Sequence, residues 1–166
     1  AKHKEKRGDL AGAAERYWRA IELGATSEAF PAREDLRICL KAGNAALHSL
    51  KLELGEQALV RAQQLASDLG NTGAGARAAI MYCRVLARQG RLQDSMDSVQ
   101  RAIPLAEQTG DPLILAQVYT AIAESYQQWG EYGPDFEYIE PALRYATESN
   151  DLLQLGRSLQ LAVTHA

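Results

Sequence analysis

The sequence predicts an all-α solenoid built of antiparallel helix pairs, about four repeats followed by an extra terminal helix. Three observations carry this. A phrase returns every 40 residues, as Leu65-Ala66-Ser67-Asp68-Leu69-Gly70-Asn71, Leu105-Ala106-Glu107-Gln108-Thr109-Gly110-Asp111 and Tyr145-Ala146-Thr147-Glu148-Ser149-Asn150-Asp151. A small residue keeps the same register at Ala62, Ala102 and Ala142, with Ala20 another 42 residues upstream. Apolar residues recur at spacings of three and four, as in Tyr119, Ile122, Ala123 and Tyr126, which is the period of a helix. Units that repeat at this length stack only on their neighbours, so they build an extended surface and not an enclosed catalytic pocket.

The units run from 1 to 24, 33 to 69, 71 to 109 and 111 to 149, with a partial unit from 151 to 166, all within one domain of 166 residues. In the first, Gly8 is expected to end the tail of a first helix, and Ala13, Tyr17 and Ala20 mark a second. Residues 25 to 33, with Phe30-Pro31, form a longer loop between repeats. The same stop falls at Gly90 and Gly130, twelve residues before the anchoring alanine, while the second copy has Leu50 there. At the junctions between units, Gly70, Gly110 and Asn150 suit the left-handed residue that ends a helix. Asn71, Asp111 and Asp151 then cap the next one through a side-chain oxygen. Pro112 and Pro134 suit first helical positions, where the missing donor costs nothing. Pro104 and Pro141 fall inside second helices, and two readings stay open for them: a local kink, or a shorter helix.

Residue by residue, Tyr119-x2-Ile122-Ala123-x2-Tyr126 followed by Ile139 and Ala142 resembles the tetratricopeptide pattern, and so does Ala13-x3-Tyr17-x2-Ala20. Looser copies are Cys39, Ala42, Gly43 and Ala46, and Ala79, Tyr82, Cys83 and Leu86, both without the leading aromatic. The usual period is about 34 residues. The 40-residue unit is similar to the longer-helix variant of maltose-activator-like bacterial regulators, Rap-type peptide sensors and polarity scaffolds. The resemblance covers essentially the whole chain. It implies a right-handed superhelix whose concave face is lined by the first helix of each pair and receives proteins or peptides.

That implication selects columns of residues. The register aligns Arg37, Arg77, Gln117 and Arg157 in one, Asn44, Arg84, Glu124 and Thr164 in a second, and His48, Arg88 and Gln128 in a third. Arg77, Arg84 and Arg88 share one helical side, where guanidinium groups can meet carboxylates bidentately, so a partner segment with acidic residues or a free C-terminus is the matching class. The other reading is that these arginines pair with acids of the next repeat, such as Glu124. Asn44 matches one position of the family's known peptide clamp, but Leu40 and Ile80 stand where that clamp has polar or basic groups. They predict a partly apolar groove that gives way to Thr120, Gln127, Gln128 and Gln160. A second candidate surface is the turn from Trp129 to Tyr138, whose rings serve either as contacts or as packing between helices. Trp18 is expected either on the outer surface or over an adjacent repeat.

Composition narrows the function. Net charge is −3, which argues against a general nucleic-acid binder. Residues 1–50 carry nine Lys or Arg against seven Asp or Glu, and residues 101–166 three against nine, so the charge runs from +2 to −6 along the stack. No apolar run is long enough to cross a membrane and no secretion leader is visible, which leads to the expectation of a cytoplasmic protein. Both ends look cut, as in a segment of a longer protein. Cys39 and Cys83 read as buried free thiols. His3, His48 and His165 lie in different repeats with no metal-binding spacing, and the run Gly70 to Gly75 lacks the strand and the Lys-Ser or Lys-Thr of a phosphate loop. No cofactor, no metal and no enzymatic activity are expected.

The sequence therefore points to a scaffold module that recognises a protein or peptide segment, acidic in character, on its concave face. Its expected contact residues are Arg37, Leu40, Asn44, Arg77, Ile80, Arg84, Arg88, Gln117, Glu124, Gln128 and Arg157. The alternative is the sensor or oligomerisation segment of a larger bacterial signalling or transcriptional regulator, with a homodimer among the expected associations.

Overall fold

The ends of the helices follow from single residues. The computed structural model describes residues 9–25, 31–130 and 136–163, and among them eight α-helices and no strand. These are α1 (Leu10–Ala25), α2 (Ala32–Ser49), α3 (Leu52–Asp68), α4 (Thr72–Arg88), α5 (Leu92–Thr109), α6 (Pro112–Trp129), α7 (Phe136–Ser149) and α8 (Leu152–Val163). The side chains of Asn71, Asp111 and Asp151 accept from the backbone N–H of Ala74, Leu113 and Gln154 at 3.0, 2.9 and 2.8 Å, which opens α4, α6 and α8. Gly70, Gly110 and Asn150 hold φ at 61°, 62° and 54° and end the helices before them. Inside the pairs Gly90 and Gly130 do the same, and Leu50 adopts φ 59° where the other copies have glycine.

Helices α5 and α7 run on through Pro104 and Pro141, so the shorter-helix reading does not hold. Pro112 opens α6 as expected. Gly8, Pro134 and, with it, residues 131–135 of the turn from Trp129 to Tyr138 lie outside the described residues, as do most of the loop between α1 and α2 and Thr164.

Packing is distributed along the stack. Helices α2 with α3, α4 with α5 and α6 with α7 form antiparallel pairs, and each pair packs on the next. Ala58, Ala62, Ala102, Ala106, Ala142 and Ala146 are fully buried, and their small side chains let helix backbones approach closely. At Gly43 a Cβ would stand 2.6 Å from Leu59 Cγ, so only glycine fits between α2 and α3 there. The first helices of successive pairs, α2 on α4, α4 on α6 and α6 on α8, touch one another more closely than the second helices do. A stack of this kind curves with its first helices inside.

Polar side chains complete the seams. Buried Asp35 of α2 accepts from Arg61 of α3 and holds the Cys39 thiol at 3.5 Å. Burial, then the neighbouring Asp35, pushes Cys39 up to about 12. Cys83 is buried beside Ser95 and Ser125, at 3.2 and 3.4 Å, and both cysteines are free thiols. Glu56 of α3 accepts from Gln89 at 2.9 Å and Arg91 at 2.7 Å; these donors hold its carboxyl below the usual range and tie one pair to the next. Trp18 is half-buried against α1 to α3, covering the adjacent repeat. Tyr138 stacks on Tyr126 at 5.7 Å and Tyr145 on Tyr119 at 5.8 Å, so these rings serve packing.

Candidate functional site

The inner helix set builds a cleft of about 330 Å³ lined by Asn44, Leu47 and His48 of α2, Met81, Arg84 and Arg88 of α4, Glu124 and Gln128 of α6, and Arg157 and Gln160 of α8. Four successive first helices thus contribute side chains from one face. The α2, α4 and α6 contributions come from the C-terminal halves of their helices, where the partial negative charge of the backbone favours a cation such as Arg88. Three guanidinium groups face one carboxylate there, a local excess of positive charge on a chain of net charge −3.

Arg84 is the centre of this arrangement. Its Nε donates to Glu124 Oε2 at 3.2 Å across the seam between α4 and α6. That single contact leaves Arg84 Nη2 as the one buried side-chain polar atom without a hydrogen-bond partner among the described residues. A buried unsatisfied donor costs about 1–3 kcal/mol, more on a charged group. Arg88 Nη1 donates to the Leu47 backbone carbonyl at 3.0 Å, which fixes its stem against α2.

The expected contact residues divide accordingly. Asn44, Arg84, Arg88, Glu124, Gln128 and Arg157 converge on the cleft, together with His48. Arg84 does pair with Glu124, so both readings of the arginine face describe one place. Arg37 forms an ion pair with Glu34 of its own helix, Arg77 is exposed, and neither it nor Gln117 lines the cleft. The apolar groove expected at Leu40 and Ile80 is absent. Ile80 is 2% exposed in the core between α4 and α6, and Leu40 packs on the core of α1 to α3. Their register mate Thr120 is also buried, sharing hydrogen bonds with Ser158 at 3.1 Å and Gln154 at 2.8 Å.

The apolar part of the cleft comes instead from Leu47 and Met81, which the register columns missed. Met81 follows the spacing Arg77, Met81, Arg84, Arg88, so the helical period alone places it on the arginine side. Ile80, one residue earlier, is rotated by about 100° into the core. Among the described residues no group of three or more His, Cys, Asp or Glu could hold a metal ion, and no helix is long and apolar enough to cross a membrane.

No family model matches the sequence, and no match is found among curated proteins. Solved structures share the fold. The TPR domain of Arabidopsis FLU superposes with a TM-score of 0.64 at 19% identity, over 71% of this chain and 99% of that one. Aspartyl phosphate phosphatase F from Bacillus subtilis superposes with a TM-score of 0.79 at 18% identity, over 96% of this chain and 42% of the phosphatase. The chain therefore has the tetratricopeptide-like helical repeat fold, and it spans less than half the length of the phosphatase.

Proposed function

We propose that this chain is a protein-interaction module whose inner cleft receives a short partner segment bearing carboxylates. The observation that carries the reading is the convergence of Arg84, Arg88 and Arg157 from two helices on one cleft. Asn44, His48, Gln128 and Gln160 offer neutral hydrogen bonds beside them, and Leu47 and Met81 an apolar wall, a combination suited to an extended peptide or the polar edge of an amphipathic helix. The role is non-catalytic binding in a cytoplasmic setting, with no direct contact to nucleic acid or membrane.

The test is selection from a bead-bound library of short peptides, half with free and half with amidated C-termini, followed by titration of the selected peptide. Arg84→Glu and Arg157→Glu are each expected to weaken binding about tenfold or more, equivalent to about 1.4 kcal/mol. Arg77→Glu, outside the cleft, is expected to leave it unchanged. Binding that responds to Arg77→Glu and ignores the other two sinks the assignment.

A second reading has its own observation. The likeness to the phosphatase covers nearly all of this chain but under half of that protein, which suits a peptide-sensing segment within a larger bacterial signalling or transcriptional regulator. A helix-turn-helix or nucleotide-binding domain encoded in the same reading frame supports it, and an array that stands alone in its gene counts against it.

A further inference from the structure

Where a first helix meets the second helix of its own pair, the same register positions are filled differently in three successive pairs. In the pair α2 and α3, buried Asp35 and Cys39 stand on the first helix, and Asp35 accepts from Arg61 of α3 at 3.0 Å. In the pair α6 and α7, the same two positions hold buried Leu115 and Tyr119, whose ring stacks on Tyr145 at 5.8 Å. In the pair between them, α4 and α5, they hold Gly75 and Ala79. Neither carries a side chain beyond Cβ, and a cavity of about 590 Å³ opens there.

Gly75 and Ala79 of α4 form the floor of this cavity, Ala66 of α3 and Leu105 of α5 its walls, and Arg101 and Pro104, both exposed, its rim. A Cβ on Gly75 would lie 3.4 Å from Leu105 Cδ1 and 3.7 Å from Ala66 Cβ, so both walls stand within ordinary contact of the floor. Pro104 takes the place of Gln64 and Arg144 in the sister pairs, which makes this rim more apolar than theirs. Arg101 is the register mate of Arg61. The aspartate that Arg61 meets is replaced here by Gly75, and Arg101 has no ion pair among the described residues. The volume falls in the range of small-molecule sites, about 300–1,000 Å³, and so does the make-up, an apolar lining with few polar groups.

We propose that this cavity binds a small aromatic carboxylic acid. The sister pairs display what the space accepts. One places a ring, Tyr119, at the position of Ala79 and stacks it on the register mate of Leu105; the other places a carboxylate, Asp35, at the position of Gly75 and pairs it with the register mate of Arg101. Between α4 and α5 the apolar wall and the arginine are kept, and the ring and the carboxylate are missing. A ligand supplies both. Its ring system lies on Gly75 and Ala79 against Leu105, a contact driven by apolar burial. Its carboxylate takes two N–H donors of the Arg101 guanidinium. None of these residues lines the inner cleft, so the site stands or falls independently of the peptide-binding reading.

The test is titration with naphthylacetate, biphenylacetate and indolepropionate, and with the uncharged amide of each, followed by backbone amide NMR shifts. Saturable shifts are expected at Gly75, Ala79 and Leu105 with at least one acid, and its amide binds about tenfold more weakly, equivalent to about 1.4 kcal/mol. Arg101→Gln, at an exposed position, lowers affinity for the acid about tenfold and leaves that for the amide unchanged. Gly75→Leu, which copies the residue of the next pair, abolishes binding of both, and it raises the thermal midpoint because leucine replaces glycine inside a helix. Ala79→Tyr fills the same space one turn along and gives a second blocked protein. No saturable binding by any of the three acids overturns the proposal. So does equal affinity for acid and amide, and so does binding that persists in Gly75→Leu and Ala79→Tyr. Binding lost in Arg84→Glu but kept in Arg101→Gln assigns the acid to the inner cleft and equally overturns it.

Discussion

At Leu50 the chain does with a bulky residue what it does elsewhere with glycine. Four glycines and Asn150 supply the other left-handed stops, and Leu50 holds φ 59° between α2 and α3 with its side chain mostly in solvent. A left-handed conformation costs a residue with a Cβ roughly 1–2 kcal/mol, and an exposed leucine recovers little by burial. Glycine relieves that strain at the expense of a more flexible unfolded chain. Leu50→Gly is therefore expected to stabilise the fold by about 0.5–1 kcal/mol, seen as a higher urea midpoint with an unchanged slope. An unchanged or lower midpoint would show that the strain is absorbed locally. This site was half legible in advance: the register marked the stop, and leucine there gave no hint of the conformation it would take.

Between helices the deciding interactions are caps, and these were readable because they are local. An Asn or Asp one residue after a left-handed stop has only the next helix to serve, so Asn71, Asp111 and Asp151 could be assigned from spacing alone. Asp111 accepts from Leu113 N–H directly before Pro112, which itself needs no acceptor. Asp111→Ala is expected to cost about 1 kcal/mol, whereas Asp111→Ser, which keeps an acceptor at that place, should cost less than half of that. Thermal or urea unfolding of the three proteins decides it; equal loss in both variants would point to charge at the helix N-terminus as the operative term. The interior prolines were less readable. One missing N–H is compatible with a break, a kink or a continuous helix, and which occurs depends on whether the helix is held by its neighbours on both sides. In α5 buried Ala102 and Ala106 flank the proline and hold it, and in α7 buried Ile139 and Ala142 do.

Across the whole molecule, stability is the sum of units and the seams between them, because no residue in the middle pairs touches a common centre. Helices at the ends have one neighbouring pair and those in the middle have two. Hydrogen exchange is therefore expected to be slowest in α4, α5 and α6 and fastest in α1 and α8, with a graded profile and not a single protection level. A uniform profile would mean that the stack opens only as one cooperative block.

Period, caps and helix type were determined by the sequence itself, since each rests on contacts within a few residues or on a repeat that any helix pair must satisfy. The seven cleft residues foreseen from the register, Asn44, His48, Arg84, Arg88, Glu124, Gln128 and Arg157, follow from the same regularity. Only the tertiary structure decided the rest. Ile80 lies in the core and Met81 in the cleft because a step of one residue turns a side chain about 100° around the helix, and the seam that fills or leaves open that direction is formed by residues 40 positions away. Thr120 is buried for the same kind of reason: Gln154 and Ser158 of α8 supply its partners, and no local pattern around Thr120 announces them. Which members of a column face solvent is set by how neighbouring helices rotate and approach, a non-local packing outcome that spacing along one helix does not contain.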